Sequence, residues 1–162
     1  MTPSIPAHYT IDAQPIANPD AVITVGNARF SLLTPRLIRI EYSPVAAFED
    51  RPSQAIWHRR QDVPPFISDT TDDVLTIDTG YLTLRYNTRL GYFTPDSLSI
   101  YVKSTDVTWH YSDANPLNLK GTARTLDNIE GAVALEDGLM SRAGWAILDD
   151  SRALVFNTQS WL

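Results

Sequence analysis

Cysteine is absent from this chain of 162 residues, which excludes disulfides, thiolate nucleophiles and zinc sites built on sulfur. The fold must therefore rest on packing alone, as suits a protein of the reducing cytosol. The chain also lacks an apolar run long enough to cross a bilayer, and its N-terminus has neither the basic nor the apolar region of a signal peptide. These absences predict a cytoplasmic protein that does not enter a membrane.

Positive charge is also scarce. Lysine and arginine number 13 against 19 acidic residues, which gives a net charge of −6, and the basic residues are scattered rather than arranged in a stripe. No nucleic-acid partner is expected, because an acidic surface repels phosphate. Hydrophobic residues make up 43% of the chain and charged residues 20%, which is typical of one globular domain spanning residues 1–162.

Several catalytic motifs are missing as well. The chain has no G-x-S-x-G elbow, no phosphate-binding glycine loop and no G-x-G-x-x-G fingerprint, so serine hydrolases, P-loop enzymes and dinucleotide-binding proteins have no support. His8, His58 and His110 are far apart in the sequence and show no metal-site spacing. No metal site is predicted.

Apolar residues recur at every second position in short runs. This is the period of half-buried strands, and no helical period is sustained anywhere, so the sequence predicts an all-β chain. Residues 29–33 and 37–42 form a predicted hairpin around Pro35, which presets the backbone for a turn. Arg39 and Glu41 fall on the polar face of the second strand, where charges can pair on a wet surface.

Further strands are predicted along the rest of the chain, together with one long polar loop. The predicted strands are at 75–78, 82–86, 98–103, 107–111, 144–148 and 153–156, with a short edge strand at 54–58. Residues 112–137 are rich in Asn, Asp, Gly and Thr, and they predict a long loop of the kind that carries function or packs against a neighbouring domain. Because the chain stops on the apolar pair Trp161-Leu162, we expect it to be truncated.

Three sequential acidic pairs invite a catalytic interpretation, namely Glu49-Asp50, Asp72-Asp73 and Asp149-Asp150. Neighbouring residues of a strand point to opposite faces, so such a pair cannot act together on one substrate group. Turn chemistry is the favoured interpretation, since aspartate commonly begins turns. The sequence therefore predicts no catalytic carboxylate pair.

Four blocks of sequence carry a resemblance to a known family. They are F-S-L-L-T-P-R-L-I-R-I-E-Y at 30–42, F-E-D-R-P-S at 48–53, N-L-K-G-T-A-R-T-L-D at 118–127 and G-L-M-S-R-A-G-W at 138–145. Together they resemble the N-terminal region of glycoside hydrolase family 31, the α-glucosidase-like proteins. The resemblance covers most of the chain.

The resemblance implies a β-sandwich of the galactose-mutarotase-like kind that packs against a following (β/α)₈ barrel. In the family, two aspartates of the barrel act as nucleophile and general acid/base in a retaining mechanism on α-linked glycosides, and no metal or organic cofactor is required. The implied partners are the barrel of the same parent chain and an α-glucoside or oligosaccharide substrate. Since this sequence lacks the alternating strands and helices of a barrel, no catalytic residue is assigned, and we expect the chain alone to be inactive.

Three side chains in or near the polar loop are the candidates for contact with the barrel or substrate, namely Arg124, Asp127 and Arg142. A guanidinium fork and a carboxylate can hold a loop or a sugar hydroxyl, although structural ion pairs are the simpler interpretation.

Two other functions remain open. The alternative is a free-standing carbohydrate-binding or assembly module, which the four tryptophans and seven tyrosines would suit. Core packing is nevertheless the favoured role for three of the tryptophans, Trp57, Trp109 and Trp145. A mutarotase-like enzyme is the weaker possibility, because the sequence offers no convincing acid/base pair for it.

Overall fold

The computed structural model describes residues 12–121 and 130–156. Within these ranges the regular structure consists of eight strands and two 3₁₀ helices, Pro19–Ala21 and Thr88–Leu90. The strands are β1 (Val22–Val25), β2 (Ala28–Thr34), β3 (Leu37–Tyr42), β4 (Ile67–Thr71), β5 (Val74–Asp78), β6 (Leu82–Asn87), β7 (Leu98–Val102) and β8 (Val107–His110). The described residues include no helix with the length and apolar character needed to span a membrane.

The strands form two antiparallel sheets. The first has the order β1-β2-β3 and the second the order β4-β5-β6-β7-β8, so strands that pair are consecutive in the sequence. The predicted hairpins are the pairs β2–β3 and β5–β6. The prediction of an all-β chain is therefore confirmed, and short turns explain why each strand pairs with the next.

The hydrophobic core lies between the two sheets. Buried side chains from both of them form one cluster that includes Phe30, Leu32, Leu75, Ile77, Leu84, Tyr86, Leu98 and Trp109. Across β5 to β8, one row of opposed residues is formed by Ile77, Leu84, Ile100 and Trp109. The Phe30 ring of the first sheet lies 5.5 Å from the Tyr86 ring of the second. The fold is thus β-sandwich-like, with inward-facing residues of both sheets forming the shared core.

Two strands have no signal in the alternation of the sequence. All five residues of β4 are exposed, so the strand has no buried face that a periodic pattern could reveal. β1 is four residues long and pairs with β2. Both strands form because tight turns place them beside a stronger neighbour.

The predicted strands at 54–58, 144–148 and 153–156 are wrong. None of these segments enters a sheet ladder, and Ser53 and Val155 meet only in an isolated bridge. Each of these segments holds a short apolar run rather than a strict alternation, and such a run does not by itself specify pairing with a sheet.

A backbone turn disrupts the predicted strand at 144–148. Gly144 has φ +78°, which lies outside the strand region. The carbonyl of Trp145 accepts a hydrogen bond from the side chain of Asn115 rather than from a neighbouring strand. The predicted long loop is confirmed for residues 112–121 and 130–137, which contain no strand or helix.

Candidate functional site

Asn118 joins the two ends of the long polar loop through its side-chain amide. Its Nδ2 donates to the Gly138 carbonyl at 2.8 Å, while its Oδ1 accepts from the backbone N–H of Lys120 at 2.8 Å and of Gly138 at 2.9 Å. The side chain is buried. An amide can satisfy both kinds of backbone group at once, so one residue ties down both segments.

Asn115 makes a second connection of the same kind. Its Nδ2 donates to the Trp145 carbonyl at 2.8 Å, and its Oδ1 accepts from the Ser141 hydroxyl at 2.9 Å. That hydroxyl also accepts from the N–H of Ala143 at 3.0 Å. We call residues 115–121 and 138–145, joined in this way, the asparagine clasp.

Backbone hydrogen bonds reinforce the clasp. The N–H of Leu119 donates to the Met140 carbonyl at 2.9 Å, and the N–H of Arg142 donates to the Leu117 carbonyl at 3.1 Å. The two segments therefore run side by side like a short irregular ribbon. The clasp therefore fixes Gly121 and Gly138, which flank residues 122–137, close together.

Two glycines stand at close approaches of the clasp, Gly138 between its two segments and Gly144 against the β7–β8 turn. A Cβ at Gly138 would lie 2.8 Å from the Lys120 carbonyl oxygen, which is too short for any side chain. A Cβ at Gly144 would lie 2.5 Å from Cγ2 of Thr105, in the β7–β8 turn. Both glycines belong to the G-L-M-S-R-A-G-W block, so their place in that motif has a steric reason.

The outer surface of the clasp is apolar. Four large side chains there are 45–71% exposed, namely Leu117, Leu119, Leu139 and Met140. Single exposed apolar residues are ordinary on a protein surface, whereas a group of them suggests an interaction surface. We call these four residues the clasp patch.

The structure places one of the three predicted contact residues. Arg142 lies on the clasp with its side chain exposed, beside Ser141, which bridges to Asn118. The side chain of Arg142 makes no ion pair with another described residue. Arg124 and Asp127 lie outside the described residues, so a joint contact of the three stays a prediction.

A second polar cluster lies on the outer face of the first sheet. Arg29 forms a two-pronged pair with Glu41 across β2 and β3, at 2.7 and 3.0 Å. Arg39 reaches the same carboxylate at 2.9 Å, and Arg29 also reaches Asp50 at 2.8 Å. The prediction that charges pair on the polar face of this hairpin is confirmed. The expectation of a wet surface is wrong, however, because the side chains of Arg29, Arg39 and Glu41 are only 11–13% exposed to solvent.

Arg59 completes this arginine cluster from the segment that covers the sheet. It is 1% exposed, and its Nη1 donates to three backbone carbonyls at 3.0–3.3 Å, those of Pro15, Glu49 and Arg51. The Glu49 carbonyl also accepts from Arg39 at 3.0 Å. Desolvation lowers the pKa of Arg59, and the nearby charge of Arg39 acts in the same direction. The cluster fastens a long irregular segment to the sheet.

The acidic pairs have structural roles. Asp72 and Asp73 form the two-residue β4–β5 turn with φ 50° and 62°, as turn chemistry predicts. Asp149 accepts from the N–H of Ser151 at 3.0 Å, which is again a turn interaction. A side-chain hydrogen bond from Ser151, together with this backbone one, lowers the pKa of Asp149.

The first acidic pair is held by arginines. Glu49 accepts two side-chain hydrogen bonds from Arg51, at 2.6 and 2.8 Å, and these bonds lower the pKa of Glu49 to about 2. Asp50 pairs with Arg29. None of these carboxylates is placed in a shared cleft with its neighbour, and the described residues contain no group of three His, Asp or Glu side chains suited to a metal ion.

The tryptophans divide between core and surface. Trp109 is buried in the core cluster and Trp145 packs against it, which confirms the prediction for both. For Trp57 the prediction is wrong, since it is 39% exposed and packs edge-on against Phe156 at 5.7 Å. It lies in the irregular segment that covers the first sheet, where alternation gave no guidance.

Sequence reasoning missed the residues that organise both clusters. Asn115 carries no local signal, because its partners lie 26 and 30 positions away. Asn118 belongs to the N-L-K-G-T block and could have been singled out there as a loop anchor. Arg59 looked like any basic residue, since nothing in its neighbours indicates burial. Comparison of the sequence with models of protein families and with curated proteins finds no match.

Proposed function

We propose that this chain is the non-catalytic N-terminal β-sandwich, of the galactose-mutarotase-like kind, of a family 31 glycoside hydrolase that acts on α-glucosidic linkages. In this proposal the sandwich supports the catalytic barrel of the same parent protein, and the loop between the clasp segments contributes to the rim of the substrate site. The carbohydrate chemistry itself, retaining hydrolysis or transglucosylation, belongs to the barrel.

The observation that carries the proposal is the asparagine clasp. Apart from Asn115, the residues whose side chains build it come from the two sequence blocks on which the family resemblance depends most, at 118–127 and 138–145. Asn118 hydrogen-bonds to both clasp segments, Gly138 has no space for a Cβ, and the Ser141 hydroxyl hydrogen-bonds to Asn115. These residues of the two motifs therefore share one structural role, which is to hold together the two segments that flank the long loop.

The clasp patch supports a role beside another domain. Its four apolar side chains surround the base of the loop and are largely exposed in this chain. Interfaces between domains of one chain have partly apolar character. A barrel seated there would bury the patch and would place the excursion of residues 122–137 at the barrel mouth, where such enzymes have their active sites.

The described carboxylates support a scaffolding rather than a catalytic role. A retaining glycosidase needs two carboxyl groups about 5–5.5 Å apart on either side of the sugar. The acidic pairs of this chain instead form turns or ion pairs with arginines. Their side chains are occupied in holding the backbone.

Activity measurements on the isolated chain test the proposal. The purified 162-residue chain should show no turnover of 4-nitrophenyl α-glucoside, and the reading frame beyond codon 162 should encode a (β/α)₈ barrel with an aspartate at the C-terminal end of a strand. Turnover that persists through purification and is unaffected by Arg142→Gln would contradict the proposed division of labour. A downstream frame without barrel pattern would contradict the family assignment.

Calorimetry separates the proposal from a free-standing carbohydrate-binding module. A binding module should take up maltose or isomaltose without a barrel, and aromatic side chains should supply the contact area. We expect no measurable heat from either sugar with the isolated chain. Saturable binding that is lost in Trp57→Ala, the exposed tryptophan, would favour the module instead.

A further inference from the structure

A cavity opens at the edge of the sandwich, on the β3 side of the core. Its volume is about 190 Å³. Its described lining comes from β3, from the second sheet and from the end of the clasp, and the residues that matter here are Arg36, Tyr81, Ser104, Trp109, Trp145 and Ala146. Arg36 and Tyr81 are exposed, so they stand at the mouth. We call this space the sheet-edge cavity.

The inner walls of the cavity are apolar and aromatic. Trp109 is buried, and the Trp145 ring lies 6.4 Å from it at 57°. Aliphatic side chains of β3, β6 and β7 complete the wall, namely Ile38, Ile40, Leu82, Ile100 and Val102. An apolar cavity of about 150 Å³ is large enough to bind benzene, so this one has room for a substituted benzene ring.

Charge at the cavity has one sign. Arg36 is the single charged side chain among the described lining residues. Its guanidinium lies 4.2 Å above the Tyr81 ring, and it pairs with no carboxylate of the described chain. Lys103 lies between the lining residues Val102 and Ser104, but its charge is balanced by its ion pair with Asp78. The mouth therefore presents a cation with spare donors beside a stacked ring.

We propose that the sheet-edge cavity binds an aromatic monocarboxylate, with the ring against the wall that Trp109 and Trp145 form and the carboxylate on Arg36. The apolar wall matches a ring, and the guanidinium fork matches a carboxylate in geometry and charge. A free sugar fits less well, because few lining side chains can bind its hydroxyls, chiefly Ser104, Tyr81 and Arg36. The proposal is independent of the proposed function, since it needs neither a barrel nor a glycoside.

Tryptophan fluorescence and calorimetry of the full chain with phenylacetate test the site, with benzyl alcohol as the uncharged ligand. For a ligand of this size we expect a Kd on the order of 0.1–1 mM. Arg36→Gln should weaken phenylacetate about fivefold, as expected for an exposed charge-assisted contact, and should leave benzyl alcohol unchanged. Arg89→Gln is the matched control, because Arg89 is an exposed arginine that does not line the cavity.

A variant that fills the cavity provides the second test of the site. Ala146→Phe should abolish binding of both ligands while the near-UV circular dichroism stays that of a folded chain. Equal affinity for the two ligands, or phenylacetate binding that survives Ala146→Phe, would overturn the proposal. A third outcome would also overturn it: the chain binds neither ligand, sediments as a dimer, and becomes a monomer in Ala146→Phe. The cavity would then be occupied by a second copy of this chain.

Discussion

Arg59 places a guanidinium almost completely out of contact with water, and the backbone around it is shaped to receive that charge. Three carbonyls from separate parts of the chain, those of Pro15, Glu49 and Arg51, accept from one nitrogen. Its Nε and Nη2 have no hydrogen-bond partner in the part of the chain that the structure describes. Since an arginine side chain stays protonated in proteins, the charge is retained on folding.

Replacing Arg59 should be costly. Arg59→Ala removes the donor from three buried carbonyls and leaves a void beside the first sheet, so we expect the free energy of unfolding to fall by about 3 kcal/mol. Urea unfolding followed by circular dichroism measures this change. Arg60→Ala is the control, because Arg60 is exposed and its loss should change stability by no more than about 0.5 kcal/mol. Equal effects of the two changes would disprove the anchoring role.

The Glu49–Arg51 contact predicts a pH dependence. Hydrogen bonds from Arg51 lower the pKa of Glu49 to about 2, from 4.5 without them. Because the folded pKa is the lower one, ionised Glu49 stabilises the fold above pH 4.5, and this stabilisation is lost as the pH falls toward 2. In a ¹³C NMR titration Arg51→Gln should raise the pKa of Glu49 toward 4.5. Arg89→Gln should leave the pKa of Glu49 unchanged. If that pKa stayed near 2 in Arg51→Gln as well, a group other than Arg51 would be lowering it.

Among the elements, the β4–β5 hairpin is the clearest case of a strand held by its turn. β4 has no buried residue, so its place in the sheet depends on backbone pairing with β5 and on Asp72 and Asp73 at positive φ. Aspartate tolerates the left-handed region better than most residues, but glycine and asparagine suit a turn of this kind better.

The double change Asp72→Asn, Asp73→Gly should therefore stabilise the chain by about 0.5–1 kcal/mol, despite losing the exposed Asp73–Arg89 ion pair, which contributes little. Thermal unfolding measures the gain. Asp96→Gly serves as the control, because Asp96 does not have positive φ and the added freedom of its unfolded chain should lower stability. A gain at Asp96 as well would mean that the backbone argument fails.

For the whole molecule, the contact between sheets decides stability. Phe30 is completely buried in the first sheet, and its ring meets Tyr86 at 5.5 Å and Phe93 at 6.0 Å. Loss of this side chain would open a cavity between the sheets, so the effect should reach both of them together.

Phe30→Ala should lower the free energy of unfolding by about 3–5 kcal/mol. Tryptophan fluorescence, which reports on the second sheet through Trp109, and far-UV circular dichroism should shift to the same lower midpoint. Phe48→Ala is the matched control, because Phe48 is only half-buried and lies under Arg29 at 4.7 Å, and it should cost less. Separate transitions for the two probes would show that the sheets unfold independently.

Periodicity predicted most of the strands that have one buried face. It missed the four-residue β1, whose Ile23 and Val25 pack against the core, and the fully exposed β4. β2, β3, β5, β6, β7 and β8 follow alternating runs, since their inner residues lose water to a common core. The exposed β4 has no such alternation, and the segments at 144–148 and 153–156 are continuous apolar runs that pair with no edge strand of either sheet. Alternation reports burial, whereas strand pairing depends on which neighbours are available.

The sequence alone determined the all-β class, the hairpins and the described parts of the polar loop, 112–121 and 130–137, because these depend on local spacing and on turn residues. Only the tertiary structure decided that Asn115 and Asn118 close the loop and that Arg59 is buried. It alone also showed that Arg36 stands unpaired, within the described chain, at an aromatic cavity. Each of these depends on contacts between residues distant in sequence, and no local pattern encodes which distant partner a side chain will meet.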